Sequence, residues 1–220
     1  MANKDSYIMK RSFDFVRELL AEIESHQIAN DLLYQYFGIR SFFLDDAELN
    51  QIKIFINKPD ESIERTDRAE YGDFQTNAHL ALHVTNLIAE KGISPNVVIE
   101  PTCGVGNFMV ASLATFKGIK VLFGIDIYKP YTWECKFNII DYYLDNSPTD
   151  KPDIYIMHAN VFEYDFNSIR KKYHHDNILI VGNPPWVTNS MLGSLNSSNI
   201  PRKSNFKNQN GIDAITGKGN

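Results

Sequence analysis

The chain has 220 residues, 43% of them hydrophobic, with 11 Tyr and 14 Phe, which supports one packed domain with a helical preface and excludes a disordered chain. The net charge of −5 speaks against a simple basic nucleic-acid binder, but from Val187 to Asn220 four cations (Arg202, Lys203, Lys207, Lys218) face Asp213 alone, a net +3 that leaves −8 on the first 186 residues. A basic tail on an acidic body suits a polyanion approached from one side, and it equally suits a solvated tail short of acids.

Residues 6–25 read as an amphipathic helix, with Phe13, Val16, Leu20 and Ile23 at i, i+3, i+4 steps between charges. Residues 29–58 carry apolar patches in helix or short strand, and residues 60–70 are nearly all polar, a linker or exposed helix. From Tyr71 the order becomes regular. Thr76 is the expected N-cap of a helix whose stripe is Ala81, Val84, Leu87 and Ile88, closed by Lys91-Gly92. Val97–Ile99 is an all-apolar strand, and Gly104-Val-Gly106 turns into a helix through about Thr115. Val121–Ile125 is a second strand ending at Asp126; Pro130 opens a helix with Trp133, Phe137, Ile140 and Leu144 on one face, stopped by Asn146-Ser-Pro148. Ile154–Met157 and Ile178–Val181 are the third and fourth strands. Apolar strands alternating with helices predict an α/β fold with a doubly wound parallel sheet.

Ligands of such sheets sit at the carboxyl ends of the strands. Those ends are Glu100-Pro-Thr-Cys-Gly104-Val-Gly106-Asn-Phe108, then Asp126, then Asn160, then Asn183-Pro184-Pro185-Trp186. Gly104 and Gly106 permit a tight turn and a close ligand, though a bare GxG also marks ordinary turns. Asp126 lies 20 residues after Gly106, where a carboxylate can accept from both ribose hydroxyls; it could also cap the following helix. A nicotinamide dinucleotide would use the same carboxylate, but its third glycine is replaced by Met109. The pattern favours a cofactor with ribose and no phosphate. Two prolines after a buried strand fix a stiff turn with outward carbonyls. The Asn183 amide oxygen and the Pro184 carbonyl can then accept from one exocyclic NH2 group, freeing its nitrogen lone pair, while Trp186 offers a face for a flat base. The alternative is a strand stop with a core tryptophan.

Glu100-Pro-x-x-Gly-x-Gly-x-Phe108 followed by Asn183-Pro-Pro-Trp186 resembles the N6-adenine DNA methyltransferases of bacterial restriction–modification systems. Within them it is similar to the class whose cofactor motifs precede the catalytic motif, as in type I modification subunits and fused type II enzymes. The resemblance covers residues 71 to 220 and implies a Rossmann-like methyltransferase sheet that binds S-adenosyl-L-methionine. It implies that Thr76 contacts the methionine part, that Glu100 and the Gly104–Gly106 loop hold the amino-acid end, and that Asp126 takes the ribose. Asn160 and Phe162 would hold the cofactor adenine, and Phe108 would pack beneath it. Thr102 and Ile127 join this cofactor-binding set. Asn183, Pro184, Pro185 and Trp186 would receive an adenine flipped out of double-stranded DNA. The chain departs from the pattern at Asn77, where the family has proline, and at Asn160, where it usually has aspartate.

Three segments are thus expected: a helical preface over 1–70, the methyltransferase domain over 71–186, and a basic Asn/Ser/Gly-rich loop or tail over 187–220. Four strands are expected where this fold has seven, which implies a sheet truncated after the fourth and a second polypeptide or further region supplying the remaining strands and target recognition. Ile178–Val181 would then be an edge prone to pairing with another chain. RNA bases or glutamine side chains are alternative planar NH2 substrates, and a non-catalytic cofactor-binding subunit is another. Cys103 and Cys135 form no metal-ligand array, and His174-His175 reads as a surface cluster, so no metal is expected. No apolar run reaches the ~18 residues of a membrane span, and the N-terminus has no signal-peptide core, so a reduced cytoplasmic setting is expected.

Overall fold

The computed structural model describes residues 5–57, 75–148 and 150–184, with side chains from residue 11 onward. All of these lie within one compact unit. The elements run α1 (Asp5–Leu19), α2 (His26–Phe37), β1 (Ile39–Arg40), α3 (Asp46–Asn57), α4 (Ala78–Glu90), β2 (Val97–Glu100), α5 (Asn107–Thr115), β3 (Val121–Asp126), α6 (Lys129–Asn146), β4 (Asp153–His158), α7 (Phe166–Lys172) and β5 (Ile178–Ile180). The strands form one parallel sheet in the order β1-β4-β3-β2-β5. The chain therefore steps outward from β2 through β3 to β4, then crosses back to lay β5 on the other side of β2. That reversal makes the carboxyl ends of β2 and β5 a topological switch point, where ligands of doubly wound sheets bind.

The sheet buries both faces, and the strand period of two divides the side chains between them. Val98, Leu122, Ile154 and Ile156 face the larger core, shared with α1–α6. Val97, Ile99, Val121 and Phe123 face a smaller core closed by Ile169 of α7 and the rings of Tyr155, Tyr164 and Tyr173.

The sequence led us to expect four strands; the described residues hold five. The addition is β1, whose Ile39 and Arg40 pair with Ile154 and Tyr155. Residues 11–57 are stitched to α6 as well. Phe13 meets Phe137 edge-on at 4.7 Å, and the half-buried Trp133 indole donates to Glu48 at 2.8 Å. The Lys136 ammonium donates to the Phe42 carbonyl at 2.6 Å, and Asp141 accepts from the Ser12 N–H at 3.0 Å. The early aromatic residues Phe13, Phe37, Phe42 and Phe43 are core.

One helix end differs from expectation, and one helix is added. The cap of α4 is Asn77, whose side chain accepts from His79 N, not Thr76. The polar stretch before β5 contains a short helix, α7, capped by Asp165. At the far edge β5 pairs with β2 only among the described residues, leaving Ile178 37% and Ile180 65% exposed.

Candidate active site

The glycine loop is built between two strands. Leaving β2, the chain turns at Gly104 (φ +50°) and Gly106 (φ +85°), left-handed conformations that favour glycine, and enters α5. Both positions are also tight: a Cβ on Gly106 would overlap Cys135 Sγ, and one on Gly104 would overlap Gln75 Oε1. The Asp126 carboxylate, at the tip of β3, ties the loop down. It accepts from Gly104 N at 2.8 Å and from Tyr128 N at 2.8 Å. Asp126 does not cap α6, whose N-cap is Tyr128 without a side-chain cap bond; its carboxylate braces the two turns instead.

Glu100 lies 2% exposed at the end of β2. The Met109 N–H in the first turn of α5 donates to its carboxylate, yet Oε2 is buried without a hydrogen-bond partner. Burial, with Cys135 and Asp126 nearby, pushes its carboxyl well above the usual range against the help of Met109. A cationic amine delivered by a ligand would supply the partner that Oε2 lacks. Thr102 Oγ1, two residues on, is likewise buried without a partner. Beneath the loop the Cys103 thiol hydrogen-bonds Cys135, and this bond and burial raise it well above its ordinary value, which leaves it an inert packing group. Phe108 is buried in the larger core, 6% exposed.

Next along the edge, β4 ends at His158, paired in register with Asp126. His158 Nε2 lies 2.9 Å from the Ile127 carbonyl and holds the turn after Asp126. Asn160 Oδ1 accepts from Phe162 N at 3.0 Å, and the Phe162 ring stands 76% exposed. Beyond β5, Gly182 lies against the cofactor motif: a Cβ there would be 3.5 Å from Glu100 Cγ and 3.7 Å from Pro101 Cδ. Asn183 and Pro184 follow directly, half-buried and exposed. Pro185, Trp186 and the 187–220 segment lie outside the described residues.

The structure thus brings Glu100, Thr102, the glycine loop, Asp126, Ile127, Asn160, Phe162 and Asn183 to one edge of the sheet. It adds residues that sequence reasoning did not single out. Gln75 accepts from Val105 N at 3.1 Å, His158 braces Ile127, and Cys135 floors Gly106. Thr76 enters through its carbonyl, which accepts from Asn107 Nδ2 at 2.6 Å. Among the described residues no group of three or more His, Cys, Asp or Glu could hold a metal ion, and no helix is long and apolar enough to cross a membrane.

A parallel doubly wound sheet with a glycine loop after β2, an acid at the tip of β3, and Asn-Pro after β5 across the switch point defines a Rossmann-like methyltransferase fold. The chain is 42% identical over 159 residues to the type II methyltransferase M.NspV of Nostoc sp.. The match takes in 72% of this chain and 31% of that protein, so the chain spans about a third of its relative's length. No protein-family model matches the chain. The likeness to restriction–modification methyltransferases read from the motifs is borne out by this alignment.

Proposed function

We propose that this chain is the cofactor-binding and catalytic portion of an enzyme that transfers a methyl group from S-adenosyl-L-methionine to the N6 amino group of adenine in DNA. The observation that carries the reading is the packing of Gly182 on Glu100 and Pro101. That packing supports a reading in which the Asn183-Pro184 turn receives the base next to a cofactor held at Glu100 and Pro101. The likeness to a type II methyltransferase gives independent support.

The residues fit the cofactor: the unpartnered Glu100 Oε2 would hold its amine, Asp126 its ribose, and Ile127, Asn160 and the exposed Phe162 ring its adenine. Bound there, the cofactor supplies an electrophilic methyl on a sulfonium. The protein's part is to place the acceptor. Asn183 Oδ1 and the Pro184 carbonyl accept the two N6 hydrogens, which turns the lone pair out of the ring and toward the methyl carbon. Trp186 holds the flipped base by stacking, worth about 1–3 kcal/mol. The transfer would be one in-line displacement with no covalent enzyme intermediate: the methyl's bond to sulfur breaks as its bond to N6 forms, the thioether product leaves, and the surplus N6 proton passes to water, so that the protein's contribution is positioning and electrostatics.

Titration calorimetry with S-adenosyl-L-methionine tests the cofactor half of this reading. The 220-residue chain should bind it, and Asp126→Ala should bind at least tenfold more weakly, since a charged acceptor contributes about 1.5–3 kcal/mol. Equal affinity of the two proteins would mean that the ribose is held elsewhere.

A further inference from the structure

One peptide unit after β3 is held from both sides. A peptide is planar, so the Ile127 carbonyl and the Tyr128 N–H turn together. The N–H donates to Asp126 Oδ1 at 2.8 Å, and the carbonyl lies 2.9 Å from His158 Nε2. A carbonyl only accepts, so Nε2 carries the hydrogen of this bond. The unit lies between two elements: β3 ends at Asp126, whose carbonyl accepts from Ala159 N at 2.9 Å, and α6 begins at Lys129. Its rotation is therefore set by side chains and not by the sheet or the helix. The other oxygen of the Asp126 carboxylate, Oδ2, accepts from Gly104 N at 2.8 Å. A turned peptide would release Oδ1 from Tyr128 and let the carboxylate pivot about its bond to Gly104. His158 is exposed at the end of β4. Water could donate to the Ile127 carbonyl there, so the bond contributes little to stability. What water lacks is direction: the ring is anchored in β4, in register with Asp126, and aims the carbonyl one way.

We propose that His158 is a positioning residue for the cofactor's nucleoside: through the Ile127–Tyr128 peptide it fixes the direction of the Asp126 carboxylate before the ligand arrives. Its effect passes through another residue. It is preorganisation, which raises affinity by reducing the ordering that binding requires. The inference rests on the proposed cofactor reading and adds to it a residue that the motifs did not indicate.

The test is titration calorimetry with S-adenosyl-L-methionine on the full chain and on His158→Ala, His158→Gln and His158→Asn. His158→Ala is also combined with Asp126→Ala. A glutamine carries its amide N–H at the reach of Nε2, whereas the shorter asparagine carries it where Nδ1 stands. His158→Ala and His158→Asn should bind about fivefold more weakly, the worth of one neutral hydrogen bond, and His158→Gln should stay within about twofold of the parent. Unfolding temperatures without ligand should agree to about 3 °C across the set. In the Asp126→Ala background, His158→Ala should cost less than about twofold, because the carboxylate it positions is gone. Three results would each overturn the proposal: a loss in that background as large as in the parent, rescue by asparagine and not by glutamine, or affinity that falls only in step with the unfolding temperature. Should Asp126→Ala itself bind as tightly as the parent, or the parent bind no ligand, the cofactor reading fails first and the assignment of His158 goes with it.

Discussion

Glu100→Gln should make the free protein more stable and a poorer binder of cofactor. Glu100 is 2% exposed; the Met109 N–H satisfies part of its carboxylate, and Oε2 has no partner. Glutamine has nearly the same shape, keeps an oxygen for Met109, and puts a neutral NH2 where a partly charged oxygen stood. An unpaired neutral amide costs less to bury than an unpaired carboxylate, so a gain of about 1–2 kcal/mol is expected, or roughly 2–8 °C in the unfolding temperature of a chain this size. The gain has a pH signature. Burial raises the folded-state pKa of Glu100 above its unfolded value. The wild type therefore loses stability as pH rises from the unfolded pKa toward the folded one, and the penalty is complete above it. The advantage of Glu100→Gln should vanish in acid and be full on the alkaline side. With saturating S-adenosyl-L-methionine the order should reverse, because the ligand's ammonium compensates the carboxylate and only the wild type gains a charged pair. Calorimetric scans of both proteins, with and without ligand at several pH values, are the assay. A Glu100→Gln variant that is destabilised at all pH values, yet shifted by ligand as much as the wild type, would refute this reasoning.

Two further outcomes concern the joint between the N-terminal helices and α6. Burial pushes the Asp141 carboxyl up to about 6 despite its bonds to Ser12, so this group withdraws stability as pH rises through the interval between its unfolded value, about 4, and that folded value. In urea titrations at pH 4.5 and 7, Asp141→Asn should lessen that loss; an unchanged difference would place the origin elsewhere. Burial lowers Lys136 to about 8, with Glu48 opposing the shift; its contribution should rise between there and its unfolded value, about 10.4. Lys136→Met should remove that rise while costing about 1–3 kcal/mol at neutral pH for the Phe42 carbonyl it orphans, and a variant as stable as the parent at pH 7 would contradict the role of this bond.

The site was legible where apolar runs stop. Val97–Ile99, Val121–Ile125 and Ile178–Val181 each end in residues that a core would not choose, and in a parallel sheet such ends share one edge. Glu100, Asp126, Asn160 and Asn183 could therefore be placed together from order alone. What escaped reading depends on contacts between distant segments. β1 is two residues long, too short for any alternation, and forms because Gly38 and Ile39 meet the start of β4. α7 has seven residues and one buried side chain, Ile169, so it shows no stripe. Lys136 and Asp141 look on the sequence like the solvent face of α6, but their partners Phe42 and Ser12 come from the preceding helical region, and both are buried. Thr76 and Asn77 are both able caps, and only the backbone path decides between them. Gln75 had no signal beyond its place in the chain, since its role arises from Val105, 30 residues on.

The central claim is methyl transfer to adenine N6. The direct measurement supplies this chain, together with a polypeptide covering the rest of its relative's length, with labelled S-adenosyl-L-methionine and unmethylated duplex DNA. The DNA is then digested and its nucleosides resolved by chromatography and mass. The account predicts label in N6-methyldeoxyadenosine, abolished by Asn183→Ala with cofactor affinity retained. Label in N4-methyldeoxycytidine, or transfer that survives Asn183→Ala at the parent rate, would contradict it.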